Sequence, residues 1–161
     1  MKIDKNELRE YLNKMTKDTK VYFGADSERI MYNGVWFVDY LLVVVVHEAG
    51  NKGAKIFGEI QRERDFDKNL SRPRNRMMTE VYKISELYLN LKEIIDEFEV
   101  EIHIDIATNP KYGSYVACKE AIGYIRGTCF VEPVLKPKSW AASNCADNLK
   151  NLVNLRKETS Y

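Results

Sequence analysis

The strongest constraint on the fold is a run of six aliphatic residues, LLVVVV at positions 41–46. The run has the length of a strand and is rich in β-branched residues, so it predicts a strand that is buried on both faces at the centre of a sheet. Asn33-Gly34, a few residues earlier, tolerates the positive φ angles of a tight hairpin turn. Strands over about 20–30, 35–47 and 54–63 therefore form an antiparallel meander.

The pattern then changes to alternating helices and strands. Apolar residues recur at every third or fourth position from about 74 to 98, which predicts one long helix. A strand over about 100–107, a helix over about 114–126 that stops near Gly127, a strand over about 129–136 and a C-terminal helix follow. Because β-α-β crossovers are right-handed, the predicted fold is α/β: a mixed five-stranded sheet of order 3-2-1-4-5, with strand 2 antiparallel and helices on both faces.

Length and composition predict one globular domain over residues 1–161, with residues 1–18 as an N-terminal helical extension. Hydrophobic residues make up 45% of the chain and the net charge is +1, so a basic surface must be local rather than global. The three cysteines show no metal-binding or secretory spacing. With no apolar leader at the start and no run long enough to cross a bilayer, the chain is expected to be cytoplasmic and not to associate with a membrane.

Two aspartates lie near the ends of different, largely apolar strands. Asp26 follows an apolar strand, and Asp105 lies near the end of the alternating stretch EIHIDIATN, on the face it shares with His103. In the predicted sheet these strands are parallel neighbours, so the two carboxylates lie a few ångströms apart. Neighbouring carboxylates repel each other unless a cation offsets their charge, and hard divalent cations prefer such oxygen ligands. For both residues a structural strand-end role is the alternative, in which Asp26 caps a turn through Ser27.

Glu80 is the one acidic residue that a helical wheel places on the buried stripe of the long helix, in line with Phe98. A buried acid is costly without a partner, and Arg76 at i−4 is the structural alternative to a metal. Asp147 lies at the start of the C-terminal helix and points away from its apolar stripe. Its spacing fits a metal ligand and a solvated first-turn acid equally well.

Four stretches resemble a known family. GADSE (24–28), RPRNRMMTE (72–80), HIDIATN (103–109) and KPKSWAASNCAD (136–147) are similar to the YkuK family of predicted ribonuclease H-related nucleases, within the ribonuclease H-like superfamily. The resemblance covers about residues 20–150 and departs from the family pattern at Glu28 and Lys138. It implies that four acids bind two divalent ions, Mg²⁺ or Mn²⁺, and are the catalytic residues: Asp26, Glu80, Asp105 and Asp147.

Basic residues flank these acids in the sequence. The run RPRNR, which contains Arg72, Arg74 and Arg76, directly precedes the helix of Glu80. If it lies at the rim of the site, these arginines bind substrate phosphates together with Lys136 and Lys138. The alternative is an ordinary solvated loop.

The function predicted from these features is two-metal-ion hydrolysis of phosphodiester bonds in nucleic acid, whether RNA, DNA or hybrid. Two alternatives stay open. Asp26 and Glu28 form a D-x-E pair on one face of a strand, as in 3′–5′ exonucleases. In the second alternative, the chain is a non-catalytic nucleic-acid-binding or scaffold module that keeps the fold.

Overall fold

The computed structural model describes residues 2–48, 53–66, 74–111, 115, 117–145 and 148–149. Two residues named above, Arg72 and Asp147, lie outside these ranges, as does most of the predicted C-terminal helix. The elements in chain order are α1 (Lys5–Asn13), β1 (Lys20–Tyr32), β2 (Val35–His47), β3 (Ala54–Arg64), α2 (Arg74–Ile95), β4 (Glu99–Ala107), α3 (Cys118–Cys129), β5 (Val134–Lys136) and a π-helical segment, Ala141–Cys145, hereafter the π segment.

The five strands form one mixed sheet in the order β3-β2-β1-β4-β5. β2 runs antiparallel to β1 and to β3, and β4 runs parallel to β1 and to β5. The predicted topology is therefore confirmed. The LLVVVV run lies in β2, inside the sheet, and all six of its residues are buried. The tight turn also lies at the predicted place, since Asn33 and Gly34 both have positive φ angles.

Helical elements cover both faces of the sheet. On the first face, which we call the α2 face, Phe23 of β1 packs edge-on against Tyr88 of α2, with ring centroids 5.6 Å apart. On the opposite face, which we call the π face, Gly24 lies against the π segment. A Cβ atom at Gly24 would be 2.5 Å from the backbone carbonyl of Ala141, so this close approach requires glycine. Odd-numbered β1 residues thus point to α2 and even-numbered ones to the π segment.

Several predicted boundaries were wrong. β1 ends at Tyr32, two residues past the predicted end near residue 30, because β2 pairs with it over its whole length. α3 starts later than predicted and passes through Gly127 to Cys129; its C-cap is Phe130 in the left-handed conformation. β5 has three residues, since residues 130–133 are not extended strand. Within the described ranges, no helix has the length and apolarity to cross a membrane.

Candidate active site

Asp26 and Asp105 lie side by side on neighbouring parallel strands. The pairing of β1 with β4 extends to Ala25 opposite Ile104, and the two aspartates are the next residue on each strand. Both share the face of the preceding Gly24–His103 pair, which is the π face. The register therefore brings the two acids together as the sequence predicted, at the point where β1 leaves β4 and continues with β2 alone.

Glu80 approaches the same place from the α2 face. Its side chain is buried, with 4% of the residue exposed, and its Oε1 accepts a hydrogen bond from the hydroxyl of Ser27, the residue after Asp26. Burial raises the pKa of Glu80 well above its ordinary value, and the carboxylates of Asp26 and Asp105 raise it further; Ser27 and Arg76 act in the opposite direction. Glu80, Asp26 and Asp105 thus form one electrostatically coupled group.

Asp105 has a cation beside it. The Nζ of Lys136, at the end of β5, lies 3.0 Å from Asp105 Oδ1. That oxygen is shielded from solvent, and among the described residues no donor meets it with hydrogen-bond geometry, so the contact is an ion pair. The sequence predicted Lys136 as a phosphate contact at the rim, and the structure places it against a carboxylate. β4–β5 pairing, which sets Ala107 opposite Lys136, produces this contact.

Some contacts expected if the acids had purely structural roles are present. Asp26 Oδ1 accepts a hydrogen bond of 2.8 Å from the backbone N–H of Ser27, as a local cap would. Arg76 lies close enough to Glu80 to lower its pKa, but its Nε is buried without a hydrogen-bond partner in the described chain. The direct partner of Glu80 is therefore Ser27 rather than Arg76. The sequence analysis did not predict this contact; a hydroxyl directly after a strand aspartate is the signal that could have pointed to it.

His103 connects the sheet to the π segment. Its Nδ1 accepts a hydrogen bond of 3.1 Å from the backbone N–H of Ala141, and its Nε2 lies 3.1 Å from Glu101 Oε2. Burial lowers the pKa of His103 despite the nearby Glu101 carboxylate, which favours the neutral ring that this acceptor role requires. The rings of Tyr22 and Trp140 pack edge-on against the imidazole. His103 thus anchors the segment that leads to Asp147.

The basic residues are distributed unevenly around the acids. Arg74, at the first position of α2, forms an ion pair with Glu120 of α3, so the carboxylate of Glu120 offsets the positive charge of Arg74. Arg76 is half-buried beside Glu80, and Lys138 is exposed. Of the five predicted phosphate contacts, Arg76 and Lys136 are the two that the described structure places next to the acids.

The donor chemistry of the cluster fits a hard cation. Asp26, Glu80 and Asp105 supply oxygen atoms, the donors that Mg²⁺ and Mn²⁺ prefer, and Glu80 lies close enough to both aspartates for their charges to raise its pKa. As they stand, however, no three His, Cys, Asp or Glu side chains in the described ranges are arranged so that they could hold a metal ion. Lys136 provides the positive charge at Asp105 instead.

Comparison with known proteins identifies the family. A family model described as ribonuclease H-like matches residues 5–151, which is most of the chain. The chain belongs to the ribonuclease H-like family. Comparisons with curated proteins and with solved structures found no match. The ribonuclease H-like assignment agrees with the mixed sheet and its strand order, and the match includes the strands and helix that carry Asp26, Glu80 and Asp105.

Proposed function

We propose that this ribonuclease H-like protein is a metal-dependent nuclease that hydrolyses phosphodiester bonds of nucleic acid. Asp26, Glu80 and Asp105 are the acids of its site, and Asp147, outside the described residues, is the fourth. The observation that carries the proposal is the environment of Glu80. A carboxylate buried beside two other carboxylates is unfavourable in the isolated chain, and a ligand of opposite charge makes the arrangement favourable.

The side chains around the acids have separable roles. Two Mg²⁺ or Mn²⁺ ions, when bound, supply an activated water and stabilise the leaving oxygen. Asp26 and Asp105 present oxygen atoms from adjacent strands, and Glu80 presents one from the helix that covers them. Ser27 orients the Glu80 carboxylate through its hydroxyl. Arg76 and Lys136, the cations beside the acids, bind the phosphates of the strand that is cut.

The position of Glu28 favours a site built on Glu80 over the D-x-E exonuclease alternative. Glu28 lies on the same face as Asp26 but opposite Asp39 of β2. It is beyond the end of the β1–β4 pairing, so successive residues of β1 carry it away from Asp105. The charges of Asp26 and Asp105 raise the pKa of Glu80, and that of Glu28 does not contribute to this shift.

The test is cleavage of single-stranded RNA, single-stranded DNA and an RNA–DNA hybrid by the purified chain. Cleavage is expected with Mg²⁺ or Mn²⁺ and not with EDTA. Glu80→Gln and Asp105→Asn should each reduce the rate about 10–100-fold or more, the scale on which groups that hold or orient a metal act. Glu86→Gln is the matched control, since Glu86 is exposed on the same helix and should leave the rate unchanged.

Two results would change the assignment. If nucleic acid binds but no substrate is cut with either metal, the protein is a non-catalytic binding module. If a linear strand is degraded to mononucleotides while the same strand closed into a circle is untouched, the exonuclease alternative is correct.

A further inference from the structure

A cavity of about 520 Å³ opens beside the acid cluster. One wall is formed by residues 107–109, where β4 ends. The other extends from the end of β5 into the π segment and contains Lys136, Pro137, Ser139 and Ser143. Its volume falls within the range of small-molecule sites, about 300–1,000 Å³. The cavity therefore has room for one small organic ligand.

The position of Lys136 joins this cavity to the acids. Lys136 lines the cavity, and its Nζ is 3.0 Å from Asp105 Oδ1. Ala107, on the opposite wall, is two residues after Asp105 on β4 and is paired with Lys136 across the sheet. A ligand in the cavity thus has a cation and the acid cluster at one end, which is where a phosphate of the proposed substrate would lie.

The lining contains a hydroxyl group that no described residue bonds. Ser139 is 1% exposed, and in the described structure its Oγ has no hydrogen-bond partner. A buried hydroxyl without a partner is costly, and its place in the wall of a cavity indicates that a ligand completes its hydrogen bonding. Thr108 adds a second hydroxyl, while Ala107 and Pro137 provide apolar surface. Two further polar side chains of the lining already have partners: the Ser143 hydroxyl donates to the carbonyl of Ser139, and Asn109 Oδ1 accepts from the N–H of Lys111.

We propose that this cavity binds one unpaired nucleotide of the substrate strand, next to the phosphate at the acid cluster. Its ligand class is a nucleoside monophosphate: the phosphate lies toward Lys136, and the sugar and base contact the hydroxyl-lined and apolar walls. The base is unpaired because its pairing edge, inside a cavity of this size, faces protein rather than a complementary strand. The inference rests on the proposed nuclease function for its biological meaning, but the binding itself does not.

The direct test is calorimetric titration of the full chain with adenosine and uridine 5′-monophosphates in EDTA, where no metal-dependent reaction occurs. Both should bind at least about tenfold more tightly than inorganic phosphate, which reaches Lys136 but does not use the cavity. Equal affinity for phosphate and for the nucleotides would overturn the proposal, and so would the absence of nucleotide binding.

Two variants locate the binding. Thr108→Leu fills the exposed rim of the cavity without an aromatic ring on which a base could stack, and should weaken nucleotide binding at least about tenfold. Thr16→Leu is the matched control, because Thr16 is also exposed and does not line the cavity. Ser139→Ala, which removes a single oxygen atom, should weaken binding about three- to tenfold, the loss expected for one hydrogen bond. Nucleotide affinity unchanged in both cavity variants would place the ligand elsewhere.

The outcomes separate this inference from the nuclease proposal. Nucleotide binding without cleavage of any substrate supports the cavity and contradicts the nuclease. Metal-dependent cleavage without nucleotide binding in EDTA supports the nuclease and contradicts the cavity. If both hold, a labelled single strand should compete with uridine 5′-monophosphate in the titration, and a blunt duplex should compete less.

Discussion

At the scale of single residues, two buried glutamates have different environments in this fold. Glu59, on β3, accepts hydrogen bonds from the backbone N–H of Ile3 and from the side-chain amide of Gln61. Glu80 accepts one from Ser27 and lies in the field of two aspartates. The first glutamate is bound by neutral donors and holds the N-terminus against the sheet. The second has like charges as neighbours, which a structural role does not require.

The raised pKa of Glu80 predicts how stability depends on pH. Because the folded state binds a proton at Glu80 more readily than the unfolded chain, the free energy of unfolding decreases as the pH rises from about the ordinary value of 4.5 through the raised pKa. In EDTA, Glu80→Gln should therefore melt at a higher temperature than the wild type at neutral pH. The difference should shrink as the pH falls to 4.5 and below.

Thermal unfolding across this pH range checks the prediction, with Glu86→Gln as the exposed control on the same helix. A Glu80→Gln variant that is less stable than wild type at neutral pH in EDTA would show that the ionised carboxylate has a stabilising partner. Glutamine keeps an oxygen that can accept the Ser27 hydrogen bond, so the difference in melting temperature between Glu80→Gln and the wild type does not include the loss of that bond.

Lys136 gives a second prediction at this scale. Its ion pair with Asp105 is partly exposed, with 43% of the lysine side chain accessible, so Lys136→Met should lower the free energy of unfolding in EDTA by no more than about 1 kcal/mol. Because the variant lacks the ammonium that offsets the charge of Asp105, Mn²⁺ should raise its melting temperature more than it raises that of the wild type. Lys138→Met, at an exposed position two residues on, serves as the control. An equal Mn²⁺ effect in all three proteins would contradict a metal site at Asp105.

At the scale of elements, the site depends on how closely the π segment approaches the sheet. Gly24 allows the backbone of Ala141 to lie directly on β1, and His103 holds the same residue through its N–H. Together they fix the start of the chain segment that continues to Asp147. On the other face, α2 places Glu80 over Ser27. The acids thus come from both faces of the sheet and meet where the β1–β4 pairing ends.

Two glycine substitutions should have opposite effects on stability. Gly24→Ala places a methyl group 2.5 Å from backbone atoms of Ala141, so it should lower the free energy of unfolding by about 1–3 kcal/mol. Gly123→Ala, in α3, meets no atom of the described residues within 4 Å and should raise it by about 1 kcal/mol, because alanine is the better helix former. Urea unfolding measures both. Equal effects of the two substitutions would mean that the π segment does not rest on β1 at Gly24.

At the scale of the whole molecule, a net charge of +1 means that nucleic-acid binding must rely on a few placed cations rather than on a general positive field. The described structure separates two of the candidates. Arg74 is paired with Glu120 on α3, whereas Arg76 lies beside the acids and its Nε has no hydrogen-bond partner there. These neighbouring arginines are therefore expected to contribute unequally.

Arg76→Gln should weaken binding of a labelled single strand and reduce the slope of log affinity against log salt by about 0.7–0.9, the value for one phosphate contact. Arg74→Gln, the matched substitution two residues earlier, should change the slope little. Fluorescence anisotropy in EDTA across a salt series measures both without cleavage. A larger change of slope for Arg74→Gln than for Arg76→Gln would indicate that the phosphates of the strand lie nearer α3.

Local sequence patterns predicted the strand order of this protein better than the ends of its strands and helices. The LLVVVV run, the Asn33-Gly34 turn and the switch to helical spacing after β3 are local patterns, and they determined the strand order correctly because each pattern permits few arrangements. The same patterns placed Asp26 beside Asp105 and turned Glu80 inward. Boundaries were less well predicted: β5 begins at Val134 rather than near residue 129, because its pairing with β4 sets its length and no pattern within the segment reveals that pairing.

The sequence by itself determined the strand order and placed three acids in one region, because periodicity and strand register follow from backbone geometry that is the same in every protein. The family was indicated separately, by the resemblance of four motifs to known proteins. Only the tertiary structure decided the partner of each charge. Ser27 rather than Arg76 bonds Glu80, and Lys136 pairs with Asp105. The Ser139 hydroxyl, in a cavity wall, has no partner among the described residues. These contacts join residues distant in the chain, and their energies depend on burial and separation, which exist only after the sheet and its covering segments have packed.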